Sequence, residues 1–259
     1  MSRSKSITTV AGVAVAAAVL GLVSYTATRP DPRGSGAGTS AAAEPTVGVF
    51  PELESYARRD ASDGLALGRA DAPVVLIEYA DFKCGYCGQF ARGTEQLLVA
   101  MYVEQGILRI EWRNFPIFGE ESEAAARASW AAGQQGRFWE FHRAAYAEGA
   151  KEKGFGKERL AALAQQAGVP DLAKFAADTE SAAAREAVAA DQEQGYSLGA
   201  TSTPSFLVNG RPIAGAQPLD TFTEAIEAAA RAAKAKGTKA AGPSASGTPA
   251  PSPTGSAAR

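Results

Sequence analysis

The chain is short of cysteine and nearly without histidine: Cys84, Cys87 and His142 are the only three such residues among 259. A disulfide-stapled scaffold is excluded, because it needs several cysteine pairs. A structural zinc site takes about four ligands and would have to recruit carboxylates here, so no metal and no cofactor is expected. Charge of one sign is also lacking, with a net charge of −2 and acidic and basic residues mixed along the chain. That mixture reads as a solvated surface and leaves no basic footprint for nucleic acid. No internal repeat stands out. Hydrophobic residues at 46% are ample for a core, in one substantial domain or two small ones.

Long apolar runs are scarce too, and the main one lies at the start. Arg3 and Lys5 precede an uncharged stretch from Ser6 to Thr28 centred on VAGVAVAAAVLGLV. Residues 1–28 therefore read as a membrane anchor or a signal peptide, since about 20 apolar residues cross the hydrocarbon layer. Ala27 would be the last residue removed by a signal peptidase, but Tyr25 is bulky for such a site and the run is long for a signal core. An uncleaved anchor is favoured. No cysteine follows the run, which excludes a lipoprotein anchor. With Arg3 and Lys5 on the cytoplasmic side, the rest of the chain faces outward, where disulfides persist. Residues 29–45 (RPDPRGSGAGTSAAAEP) lack large apolar side chains and read as a flexible linker. Residues 238–259, rich in Ala, Gly, Pro and Ser, cannot bury enough surface to fold. The folded part is expected at 46–237.

Within it, PVVLIEYA, Pro73 to Ala80, is a near-continuous apolar run that predicts a central buried strand. A helix is expected from Cys84 to Gln105, closed by Gly106, followed by a strand in ILRIEWRNF, Ile107 to Phe115. This order implies a right-handed parallel crossover. Helical spacing then dominates about 118–199. Strands return in SFLVNGRPIAG, where Asn209-Gly210 predicts a hairpin, and a helix starting at Pro218 carries Leu219, Phe222 and Ile226 on one face. The class is α/β: β-α-β, an inserted helical domain, then β-β-α.

Both cysteines sit in EYADFKCGYCGQF with only Gly85 and Tyr86 between them. Random placement gives that spacing in under about one case in a hundred. A purely structural disulfide there would close a tiny loop and constrain little of the unfolded chain. The local features fit redox chemistry better. A loop delivers Cys84 to the first turn of a helix, where free N–H groups and the helix dipole favour a thiolate. Lys83 adds positive charge. Cys84 is expected to be the exposed, acidic sulfur, and Cys87, one turn on, the deeper one that resolves a mixed disulfide. Thr203-Pro204, directly ahead of SFLVNG, is either an ordinary turn or a cis bond that frees the Thr203 backbone to pair with a bound peptide. Trp139, His142 and Tyr146 share one helix face, so His142 is expected to be packed and not part of a catalytic triad.

Together GRADAPVVLIEYADFKCGYC, FWEFH and STPSFLVNG resemble the DsbA-like branch of the thioredoxin superfamily, over about Leu67 to Ala230. The resemblance implies a thioredoxin fold interrupted by a helical domain and a redox-active Cys84–Cys87 disulfide. Cys84 would be the nucleophile, Cys87 the resolving cysteine and Pro204 a cis-proline preceded by Thr203. Glu78, six residues before Cys84, matches the family's buried acid. Desolvation would raise its pKa and let it shuttle the Cys87 proton. The alternative is a solvated edge position, and Asp81 is a rival for the proton role. Gly85 and Tyr86 would tune the thiolate. Strong oxidants of the family carry Pro-His between the cysteines, whereas Gly-Tyr, and threonine before the cis-proline, occur in its isomerases. Those isomerases have an N-terminal dimerisation domain, for which the roughly 25 residues from Thr46 to Ala70 are too few. A monomer is expected. It would pass its disulfide to reduced exported proteins and be reoxidised by a quinone-linked membrane oxidase of the DsbB or VKOR type. A reductase or isomerase using the same site, or a non-catalytic binding module, are the alternatives.

Overall fold

The structure, a computed structural model, describes residues 48–240. The expected anchor or signal peptide, the linker and the tail beyond Ala240 lie outside the described residues. Among the described residues, no helix is long and apolar enough to cross a membrane.

Five strands form one mixed sheet in the order β1-β3-β2-β4-β5. They are β1 (Ala66–Leu67), β2 (Val74–Ala80), β3 (Leu108–Asn114), β4 (Ser205–Val208) and β5 (Arg211–Ala214). β2 runs parallel to β3, while the other pairings are antiparallel. The apolar run thus becomes the central strand, buried along its whole length. Asn209 and Gly210 take positive φ angles of 42° and 80° and turn β4 into β5. A Cβ on Gly210 would stand 2.3 Å from the Phe50 carbonyl oxygen, so that turn has no room for a side chain. β1 is an addition to the expected elements: two residues, too short for alternation to announce them, close the β3 edge.

The helices are α1 (Gly85–Arg92), α2 (Thr94–Leu98), α3 (Glu120–Gly133), α4 (Phe138–Ala145), α5 (Lys157–Gln166), α6 (Leu172–Thr179), α7 (Ala182–Ser197) and α8 (Leu219–Ala240). α3 to α7 form the inserted helical domain. The single helix expected from Cys84 to Gln105 is instead broken. Gly93, at φ −117° and ψ −86°, leaves the helical region, and α2 runs into a wide turn over Val99–Val103. α6 and α7 likewise divide a segment of continuous helical spacing, because Ser181 turns its hydroxyl to the Ala184 N–H and caps a new helix. α8 continues to Ala240, past the expected boundary at 237.

Alternation along β2 and β3 sends side chains to two buried faces. Val74, Leu76, Ala80, Ile110 and Trp112 join the larger core beneath α1, α4 and α8, with Phe222 and Ile226 of α8 fully buried against it. Val75, Ile77, Tyr79, Phe115 and Leu207 form a second layer covered by the N-terminal segment and α7. There Gly195 of α7 lets the helix close on the sheet, since a Cβ would stand 2.8 Å from the Phe115 ring.

Candidate active site

Cys84 is the N-cap of α1, with extended backbone angles, and its sulfur accepts from the Cys87 N–H at 3.4 Å. The loop ahead of it is held by Asp81. That carboxylate accepts from the N–H groups of Lys83, Ile117 and Phe118 and from the Ser122 hydroxyl, while its carbonyl accepts from the Cys84 N–H. With its oxygens so occupied, Asp81 clamps the cysteine loop to the start of α3.

Across from Cys84, the Thr203–Pro204 bond is cis and Pro204 directly precedes β4. The Cys84 thiol donates to the Thr203 carbonyl at 3.2 Å. The expected exposure of Cys84 is corrected here: packed against Thr203 and α1, it is only 4% exposed, and Cys87 is 0% exposed. Both are free thiols. Their acidities diverge. Cys84 is pulled down to about 6, chiefly by hydrogen bonding from Cys87, with burial opposing. The backbone N–H groups of Cys87 and Tyr86 add to the effect. Burial, the hydrogen bond to Cys84 and the charge on Cys84 push Cys87 well up.

The Lys83 ammonium pairs with Glu121 of α3 at 2.8 Å and is not among the groups that set the Cys84 acidity. Tyr86 is exposed at 68%, and its backbone N–H is among the groups that lower the Cys84 pKa.

Glu78 lies in β2 opposite Trp112 of β3 and Phe206 of β4. It is fully buried, and neither carboxylate oxygen has a hydrogen-bond partner among the described residues. The solvated-edge alternative is therefore wrong. Burial, then the charges of Glu95 and Cys84, raise its pKa well above the ordinary range. Glu95 was not anticipated. It sits in α2, buried, with its Oε2 3.5 Å from His142 Nε2. Cys87, Ala91 and Glu95 recur every four residues, which is the signal that would have placed Glu95 on the inner face. His142 is buried between Trp112, Trp139 and Tyr146, and burial takes it down to about 3. It is neutral and packed, as its helix face implies.

Free thiols of unequal acidity, one capping a helix beside a cis-proline on a mixed sheet, define a dithiol protein of thioredoxin-like fold. Residues 60–228 match the thioredoxin family, and the chain belongs to that family, with the fold of its DsbA-like branch. It is similar to the probable disulfide bond formation protein D of Bacillus cereus, at 30% identity over 56% of this chain and 69% of that protein. It is also 35% identical to part of the Na(+)/H(+) antiporter NhaA of Herminiimonas arsenicoxydans, over 63% of this chain. The chain spans only 25% of that antiporter's length. Among solved structures, BdbD of Bacillus subtilis superposes with a TM-score of 0.60 at 22% identity, over 64% of this chain and 92% of that one, a likeness of fold. Among the described residues, no group of side chains is arranged to hold a metal ion.

Proposed function

We propose that this chain is an extracytoplasmic thiol:disulfide oxidoreductase that introduces disulfides into exported proteins. The observation that carries the reading is the split between its two sulfurs. At pH 7 a thiol with a pKa of about 6 is about nine-tenths thiolate, while its partner one turn deeper stays protonated. A stabilised Cys84 thiolate favours the reduced pair and so makes the Cys84–Cys87 disulfide a better oxidant.

A substrate thiolate attacks Cys84, the Cys84–Cys87 bond breaks, and Cys87 leaves with the electron pair and takes up a proton. Glu78, buried on the same face of the sheet with a raised pKa, is the acid for that proton. A second substrate thiolate then attacks the substrate sulfur of the mixed disulfide. The substrate leaves oxidised, and Cys84 leaves as the favoured thiolate. Thr203, whose carbonyl lies against Cys84, is the residue we assign to pair with the substrate backbone. Two electrons per cycle must be passed on, and a quinone-linked membrane oxidase is the partner we assign. The N-terminal apolar run supports work outside the cytoplasm, anchored in the membrane.

Cys87→Ser tests the reading, because it leaves the attacking sulfur and removes the resolving one. Exported proteins should accumulate in mixed disulfides with Cys84 in cells. An empty trap would instead favour a non-catalytic binding module. The reduction potential of the pair sets direction: a value near about −120 mV fits the oxidant, and one near about −270 mV a reductase.

A further inference from the structure

Cys84 has two flanks. Thr203 occupies one. The other opens to solvent through a cleft of about 110 Å³ between the first turns of α1 and the segment after α4. Phe82, Cys84, Gly88, Arg92, Tyr146 and Lys151 line it. The volume is several water molecules' worth, too small for a cofactor and suited to one short side chain.

Its chemistry is cationic. Arg92 Nη1 donates to the Tyr146 carbonyl at 2.7 Å, which fixes the guanidinium at the cleft wall. Gly88 makes that possible: a Cβ there would stand 2.8 Å from Arg92 Nη1 and 3.3 Å from the Tyr146 ring. Lys151 Nζ reaches over the active-site turn, 3.4 Å from where a Gly85 Cβ would be. Among the described residues neither Arg92 nor Lys151 has an ion-pair partner, whereas Lys83 is tied to Glu121. Glu152 is the single acid on the rim, so the cleft keeps a net positive charge beside the reacting sulfur.

We propose that this cleft is a substrate subsite for a carboxylate, the side chain of an Asp or Glu adjacent to the substrate's cysteine. The assignment rests on the oxidoreductase reading above. With the substrate backbone along Thr203 and its sulfur on Cys84, a neighbouring acidic side chain drops between Arg92 and Lys151. Nothing else in the exchange changes: the substrate sulfur bonds to Cys84, and Cys87 leaves with the electron pair and is protonated.

The test uses the oxidised protein and three peptides that differ only in the residue beside a single cysteine, Glu, Gln or Lys. Each rate is divided by that peptide's rate with a small neutral disulfide, which removes differences in thiol acidity. The Glu peptide should outpace the Gln peptide by about 3- to 10-fold at low salt and the Lys peptide by more, and added salt should compress the gap. In Lys151→Gln, a surface change that spares the fold, and in Arg92→Gln the Glu-to-Gln ratio should fall toward one. Equal normalised rates in the wild type, or a ratio that both variants leave untouched, would overturn the subsite while sparing the oxidoreductase reading. Failure of every peptide to react would sink both.

Discussion

On one face of the sheet, Glu111 of β3 accepts from four donors: the backbone N–H groups of Arg58 and Arg59, Arg109 Nε and Arg113 Nη2, all at 2.8–2.9 Å. On the other face Glu78 of β2 is equally buried and accepts from none among the described residues. Asp191 of α7 extends the first network through Arg58 and the Asn114 N–H. Around Glu78 the Glu95 Oε2, both His142 nitrogens and the Tyr146 hydroxyl are also unpartnered. Burial acts against the ionised form of Glu111, but the Arg58 N–H and the Arg113 and Arg109 guanidiniums hold it below the usual carboxylate range. Glu78 has no such support and goes the other way. Buried charge that is satisfied holds a fold together. Buried polar groups left unsatisfied cost stability, and here they gather on the face that carries the two cysteines, the pattern expected of a functional site.

The largest effect belongs to Cys84→Ser. Disulfide exchange should fall by at least about 10³-fold, because serine is not a nucleophile at neutral pH. The stability change carries a pH signature. A thiol at about 6 folded against 9.0 unfolded leaves the unfolded chain with the extra proton between those values. The reduced wild type should therefore gain stability over the variant as pH rises from 6 to 9, by up to about 1.4 kcal/mol per pH unit, and lose it as pH falls through 6. Urea unfolding of both proteins at pH 5, 7 and 9 reads this directly. A difference that does not vary with pH would show that Cys84 is no thiolate.

Glu111→Gln comes next. It strands Arg109 and Arg113 in the interior and sets an amide N–H against two backbone donors, which should cost about 3–5 kcal/mol in chemical denaturation. The folded fraction should still exchange disulfides near the wild-type rate. A loss under about 1 kcal/mol would mean that the two faces do not differ as described.

Glu78→Gln should have the opposite sign. A carboxyl with a raised folded pKa penalises folding above its unfolded value of 4.5, increasingly as pH rises toward the folded one. At pH 7 the amide variant should be more stable by on the order of 1 kcal/mol, and at pH 4 indistinguishable. Exchange should slow by about tenfold or more, since the acid that protonates Cys87 is gone. A destabilised variant with unchanged kinetics would move Glu78 from the reactive side of the comparison to the structural side.

Strands β2 to β5, the inserted helices, the hairpin and the cysteine pair were legible because each rests on a local rule: apolar runs, helical spacing, Asn-Gly chemistry and three-residue spacing. The cis bond ahead of β4 was legible as one of two options. What escaped depended on contacts far apart in sequence. Lys83 lies beside Cys84 in the chain, but its partner Glu121 comes from α3. The burial of Cys84 comes from Thr203, 119 residues away. The buried charges of β3, Arg109, Glu111 and Arg113, likewise depend on the N-terminal segment and α7, which cover that face and supply hydrogen-bond partners from far along the chain. Gly93 carried no sequence context that distinguished a helix break from a tolerated helical glycine.

Glu95→Gln should give the smallest effect and the finest division of the reactive face. Glu95 touches neither sulfur, so it acts on exchange through Glu78, as a like charge that helps hold the Glu78 proton. Its own pKa is raised by burial, so the variant should be slightly stabilised at neutral pH, for the same reason as Glu78→Gln. Without the Glu95 charge, Glu78 releases its proton at lower pH. The alkaline limb of the exchange rate, where Glu78 ceases to be an acid, should shift down by up to about one pH unit while the plateau rate stays within about twofold. Glu78→Gln should abolish that limb, and Glu95→Gln added to it should then move nothing further in the profile. If Glu95→Gln still shifts the profile in the Glu78→Gln background, its influence does not run through Glu78, and the two carboxylates are separate features of the same face.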